Sequence, residues 1–137
     1  MINAVTEAEK IAYAFPELQC SFENRLIVAD IAIFRWDKIP FLVDGQVPDN
    51  FEQAPDWMIE ILSPDQHPNQ VIGNILYCLE HGTRLGWLID PDDQSVLTFL
   101  RNQQPLMKSG EDHLVVLSGI DLALTVDQVL GWLKMNP

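Results

Sequence analysis
Apolar positions recur along this chain with two different periods. Between Asp56 and Pro64 the period is two: Trp57, Ile59 and Ile61 fall on one face of an extended segment, and Met58, Glu60 and Leu62 on the other. β-Branched and aromatic residues favour a strand there, and Ser63-Pro64 stops it. A second apolar run, Ile27 to Phe34, predicts another strand, with Asp30 at its centre. From about Asn69 to Glu80 the period becomes helical. Val71, Ile72, Ile75, Leu76, Cys78 and Leu79 form the apolar face, and His81-Gly82 closes the helix. Leu85 to Asp90 has almost no polar alternation, which predicts a strand covered on both faces. Pro91-Asp92-Asp93 then turns the chain into a further strand, Ser95 to Leu100, so the two read as a hairpin.

The rest of the pattern is weaker. Residues 3–14 predict a short helix with Ala4, Ala8, Ile11 and Ala12 on one face, ended by Pro16. Leu18 to Phe22 predicts a strand and Glu23-Asn24-Arg25 the turn after it. Residues 35–55 form a long irregular connection rich in turn signals, a length typical of a functional loop or an arm that packs on a partner. A polar loop is expected from Arg101 to Gly110 and a last strand at Leu114 to Leu117. Thr125 is placed to cap a final helix, Val126 to Lys134, that buries Val129, Leu130 and Leu133. Helix, three strands, helix, three strands, helix is the order of an α/β domain with a mixed central sheet flanked by helices.

Against this pattern two residues stand out. Glu60 and Asp30 are carboxylates inside apolar strand runs, and a buried carboxylate is expensive unless something pairs with it. Two such acids on adjacent strands are what a divalent cation site between them needs. Each also has a structural reading: Asp30 as an acid paired with Arg25 or Arg35, and Glu60 as a satisfied core carboxylate.

Composition narrows the function classes. The chain has 137 residues, enough for one domain with a real core, and a formal net charge of −12. Such an acidic chain does not hold nucleic acid through a broad electrostatic footprint, and its eight basic residues form no stripe. DNA binding would need a local patch, a partner or metal ions. No apolar run reaches the roughly 20 residues of a membrane span. No basic region followed by an apolar core marks a signal peptide, so a cytoplasmic location without membrane attachment is expected. Cys20 and Cys78 have no metal-ligand spacing, and Cys78 reads as a reduced core thiol.

Taken together and in order, "VADIAIF", "APDWMIEILSPDQ", "NILYCLEHGT", "LGWLIDP", "SVLTFL" and "LTVDQVLGWLK" resemble a large bacterial family labelled putative restriction endonucleases, within the PD-(D/E)XK nuclease superfamily. The resemblance implies a restriction-endonuclease-like fold. It implies that Asp30 and Glu60, with the backbone carbonyl of Ile61, bind Mg²⁺, or Mn²⁺ in its place, for hydrolysis of DNA. The chain departs from the family in three places. Ala29 precedes Asp30 where the family usually has proline. Leu62 stands two residues after Glu60 where the superfamily has a lysine, and Gly73 stands where this family displaces that lysine onto the helix. The family's usual N-terminal helix and hairpin are also unmatched, so residues 1–137 are expected to form a single shortened domain.

Two functions therefore stand side by side: a Mg²⁺-dependent DNA endonuclease with weak or lost activity, and a non-catalytic homodimeric interaction module. A cation from Arg25, Arg35 or Lys38 near the two acids would favour the first, and Trp36 and Phe41 are the expected dimer contacts of the second. Other candidates read as structural. His67 is a solvated loop residue near where Glu60 emerges, His81 a helix C-terminal residue and His113 a surface residue. Trp57 and Trp87 are core aromatics, and Asp90-Pro91-Asp92-Asp93 is a solvated turn lacking the closing glutamate of a calcium loop. Phosphate-loop, dinucleotide and serine-nucleophile motifs are absent.

Overall fold
A computed structural model describes residue 2 and residues 10–135, without the side chain of Met135. The described strands are β1 (Ala12–Pro16), β2 (Gln19–Phe22), β3 (Arg25–Val28), β4 (Ile31–Arg35), β5 (Asn50–Phe51), β6 (Trp57–Ile61), β7 (Leu85–Asp90), β8 (Ser95–Leu100) and β9 (Leu106–Ser109). Two helices, α1 (Pro68–Glu80) and α2 (Val126–Met135), and a 3₁₀ turn (Trp36–Lys38) join them. None of these helices is long and apolar enough to cross a membrane.

Six strands form the main sheet in the order β1-β4-β6-β7-β8-β9, and β3-β2-β5 form a smaller one. In the main sheet only β6 and β7 run parallel, so the chain must cross over between them, and α1 makes that crossing. The alternation in β6 sorts the core. Trp57 and Ile59 pack with Ile33, Trp87 and Val96 on one face, under Val126, Val129 and Leu130 of α2. Met58 packs on the other with Leu88, Phe99 and Val71, Ile75 and Cys78 of α1. Beyond α1 that second face continues as Ala32 and Phe34, which the small sheet covers with Cys20 and Phe51.

The mixed sheet flanked by helices is as expected, and so are β2, β6, the β7–β8 hairpin and both later helices. Thr125 does cap α2. The Gln128 N–H donates to Thr125 Oγ1 at 3.3 Å, and Gln128 Oε1 accepts the Thr125 N–H at 2.9 Å, a reciprocal capping box. Four expectations are corrected. The helix over 3–14 fails from Ala12 onward, where β1 runs antiparallel to β4; residues 3–9 lie outside the described residues. Tyr13 and Phe15 carry the strand preference there. The run 27–34 is not one strand but two, β3 and β4, in different sheets, with Asp30 at the break. The polar segment after Arg101 contains β9, the strand at the end of the main sheet. Leu114 to Leu117 joins no strand: Leu114 and Leu117 are buried, and the Val115 carbonyl accepts the Trp87 indole N–H at 2.9 Å. The free thiols of Cys20 and Cys78 are buried, as a reduced core residue should be.

α1 sits close on the sheet because Gly86 has no side chain. A Cβ at Gly86 would lie 2.6 Å from Cγ2 of Ile75, a fully buried β-branched residue that cannot swing away. Gly86→Ala is therefore expected to destabilise the protein by about 1–3 kcal/mol through overpacking. A urea midpoint equal to that of the wild type would contradict the tight approach.

Candidate metal centre
The break between β3 and β4 brings Asp30 to the rim of the main sheet. There the chain leaves the small sheet, and β4 begins its pairing with β6 at Ile31 opposite Ile59. Glu60 is the fourth residue of β6, on the face covered by α1, and is only 7% exposed. Each acid accepts a backbone N–H from beside the other. The Asp30 N–H donates to Glu60 Oε1 at 3.0 Å, and the Ile61 N–H donates to Asp30 Oδ2 at 2.6 Å. This reciprocal pair of bonds fixes both carboxylates side by side, whereas the expected ion pairs of Asp30 with Arg25 or Arg35 do not form.

The electrostatics are those of a site short of positive charge. Burial, followed by the charge of Asp30, pushes the Glu60 carboxyl up to about 7, against the lowering effect of the Asp30 N–H bond. Of the cations expected nearby, Arg25 Nη2 donates to Asn74 Oδ1 at 2.6 Å, and its guanidinium lies 4.4 Å over the Tyr77 ring. Arg35 Nη2 donates to the Ser118 carbonyl at 2.6 Å and its hydroxyl at 2.9 Å. Lys38 pairs with Asp56 at 2.6 Å. Among the described residues no cation bonds either acid.

A hard divalent ion fits this donor set. Each carboxylate spends one oxygen on a backbone N–H, and among the described residues nothing donates to Asp30 Oδ1 or Glu60 Oε2. Two carboxylate oxygens with waters are a usual Mg²⁺ set. No group of three or more His, Cys, Asp or Glu side chains that could hold a metal gathers among the described residues, so further ligands would be the Ile61 carbonyl, water or substrate. His67 precedes α1, exposed and without a side-chain cap bond. His81 Nδ1 lies 2.8 Å from the Tyr77 carbonyl at the end of α1, as expected of a helix C-terminal residue. The Asp90 carboxylate is occupied by the N–H groups of Asp92 and Asp93, each at 3.2 Å, as a solvated turn requires.

One important acid was missed by sequence reasoning. Asp56, just before β6, is fully buried, accepts the Arg35 N–H at 2.8 Å and pairs with Lys38. It stands at the opposite end of β6 from Glu60, so it is structural. Asp56, four residues before Glu60, is an acid in the same apolar stretch and carries the same cost of burial.

The comparisons with known proteins agree with this architecture. A putative nuclease belonging to DUF820 from Anabaena variabilis, solved by crystallography, superposes with a TM-score of 0.92 at 42% sequence identity. The match covers 96% of this chain and 75% of that one. A search of curated proteins finds no match. The Uma2 family, described as "Putative restriction endonuclease", matches residues 1–127, and with the fold and sheet order above the chain belongs to that family.

Proposed function
We propose that the chain is a divalent-metal-dependent DNA endonuclease of low activity, with Asp30, Glu60 and the Ile61 carbonyl as the Mg²⁺ ligands. The observation that carries this reading is the reciprocal bonding of Asp30 and Glu60, which holds two carboxylates together at a sheet rim with one oxygen of each uncommitted. The similarity to a protein titled a putative nuclease supports it. A bound metal would polarise the phosphodiester and acidify an attacking water. The protein's own part is to hold both carboxylates rigidly through backbone N–H groups and to keep Glu60 largely out of water. The low activity follows from the missing cation: Leu62 and Gly73 stand at the lysine positions, and Arg25 is engaged by Asn74 and Tyr77.

Isothermal calorimetry with Mn²⁺ on the wild type and on Glu60→Ala tests the metal site. Binding is expected in the wild type and at least about tenfold weaker in the variant, since a charged ligand is lost. No binding by folded wild type would remove the reading. The second reading, a non-catalytic homodimeric module, is favoured by that same missing cation and by the exposed tip of the long connection. There Phe41, Leu42 and Val43 are exposed, and Trp36 packs 5.4 Å from Phe41 between ring centres. A monomer in light scattering at micromolar concentration would remove this second reading.

A further inference from the structure
A cavity of about 290 Å³ opens on the α2 side of the rim, lined by Ile61, Pro91, Gln94, Leu130, Leu133 and Lys134. Its position is set by the topology. Ile61 ends β6, and Pro91 directly follows β7, so the cavity lies at the carboxyl ends of the two parallel strands. In open α/β sheets ligands bind outside the carboxyl ends of the strands. Ile61 belongs to both places: its residue lines the cavity, and its N–H holds Asp30 Oδ2 at 2.6 Å. Ile61 thus adjoins both the cavity and the candidate metal centre, which lie on opposite faces of the sheet's edge.

The lining also has a chemical bias. Ile61, Pro91, Leu130 and Leu133 present apolar walls, Gln94 an amide, and Lys134 an ammonium group in the last turn of α2. Lys134 is exposed and, among the described residues, no acid pairs with it. Apolar walls with one amide and one cation match a nucleoside carrying a phosphate. A larger cavity of about 600 Å³ beside the β2–β3 turn sets two acids, Glu23 and Glu52, against one cation, Arg25, whose guanidinium is already engaged by Asn74 and Tyr77.

We propose that the cavity at the ends of β6 and β7 seats the sugar and base next to the phosphate that a divalent ion at Asp30 and Glu60 would hold, with Lys134 contacting the neighbouring phosphate. The proposal rests on the metal-dependent nuclease reading and names where the strand runs: across the rim, from α1's side to α2's side. Lys134 would then be a substrate-binding residue. It supplies a positive charge on the α2 side of this rim.

The test is fluorescence anisotropy of a short fluorescein-labelled DNA strand, with Ca²⁺ replacing Mg²⁺ to keep the strand intact, titrated at several salt concentrations. The proteins are the full chain, Lys134→Gln and Glu60→Ala. Lys134 is exposed, so Lys134→Gln should fold like the wild type. It is expected to bind about fivefold more weakly and to lower the salt slope by about one, the signature of one lost phosphate contact. Its Mn²⁺ affinity should be unchanged. If Lys134→Gln equals the wild type in affinity and slope while Glu60→Ala loses Ca²⁺-dependent binding, the subsite is overturned and the metal reading stands. If Lys134→Gln shows the loss and Glu60→Ala does not, the metal reading falls and takes with it the placement of the subsite beside Asp30 and Glu60, leaving Lys134 only a phosphate contact. Failure of the wild type to bind the strand overturns the subsite. So does a Leu133→Glu variant that turns a dimer into a monomer, since the cavity would then belong to a second copy.

Discussion

Glu60→Gln is expected to make the metal-free protein more stable at pH 8, by about 3 kcal/mol. The carboxyl of Glu60 is raised from an ordinary 4.5 to about 7, first by burial and then by the charge of Asp30. A raised carboxyl binds its proton more tightly in the folded state than in the unfolded one. Its contribution is therefore fully present below about 4.5, falls as the pH rises through the window to about 7, and is lost above it. A gap of that width corresponds to about 3 kcal/mol, a large part of the 5–15 kcal/mol by which small domains are stable. Glutamine keeps an oxygen to accept the Asp30 N–H, now at 3.0 Å from Glu60 Oε1, and carries no charge to desolvate. Urea unfolding of wild type and variant across this range should give a difference near zero at pH 4 that grows to its full value by pH 8. A difference independent of pH would mean that Glu60 is not forced to ionise against its surroundings. Saturating Mn²⁺ should narrow the gap at pH 8, because an ion that binds only the folded wild type stabilises it by mass action.

That cost explains why Glu60 was visible in the sequence and most of its setting was not. A lone carboxylate between Ile59 and Ile61 violates the strand's apolar pattern, and such violations concentrate at functional sites. Asp30 was visible for the same reason, but its place at a break between two strands was not. The run from Ile27 to Phe34 is apolar throughout, and periodicity cannot tell one strand from two in different sheets. Only the tertiary crossing from the small sheet to the large one puts Asp30 at a break, with its side chain free to accept the Ile61 N–H. The strongly periodic elements, α1, the β7–β8 hairpin and the Thr125-capped α2, were legible because local pattern and global packing agree there. β9 was not legible. It is a four-residue edge strand, Leu106–Ser109, whose side chains are mostly exposed, and no pattern announces it. The rim cavity combines Ile61, Gln94 and Lys134 from three distant segments, which nothing local in the sequence connects.

The second large effect is expected far from the metal centre. Lys38→Met should destabilise the protein by about 2–4 kcal/mol. Asp56 is fully buried, and its carboxylate has two partners, Lys38 Nζ at 2.6 Å and the Arg35 N–H at 2.8 Å. Removing the lysine leaves a buried charge without a counterion, which costs about 3–5 kcal/mol when both partners are buried. The lysine side chain is 39% exposed, so water already screens part of the attraction and the lower range applies. The consequences spread because Asp56 sits at a junction. Its carbonyl accepts the N–H groups of Arg84, just before β7, at 2.9 Å and of Leu85, its first residue, at 3.3 Å, and Lys38's carbonyl accepts the Gln53 amide at 2.6 Å. The pair thus ties the long connection to the ends of β4, β6 and β7. A double variant, Lys38→Met with Asp56→Asn, should recover much of the loss, since the cost lies in the stranded charge rather than in the missing bond. Additive losses in that cycle would instead make the pair an ordinary surface contact. Mn²⁺ affinity offers an independent check on the division of labour along β6. It should be unchanged in folded Lys38→Met, because Asp56 precedes the strand at one end and Glu60 lies near the other, and a parallel fall in affinity would mean that the two ends of β6 act as one unit.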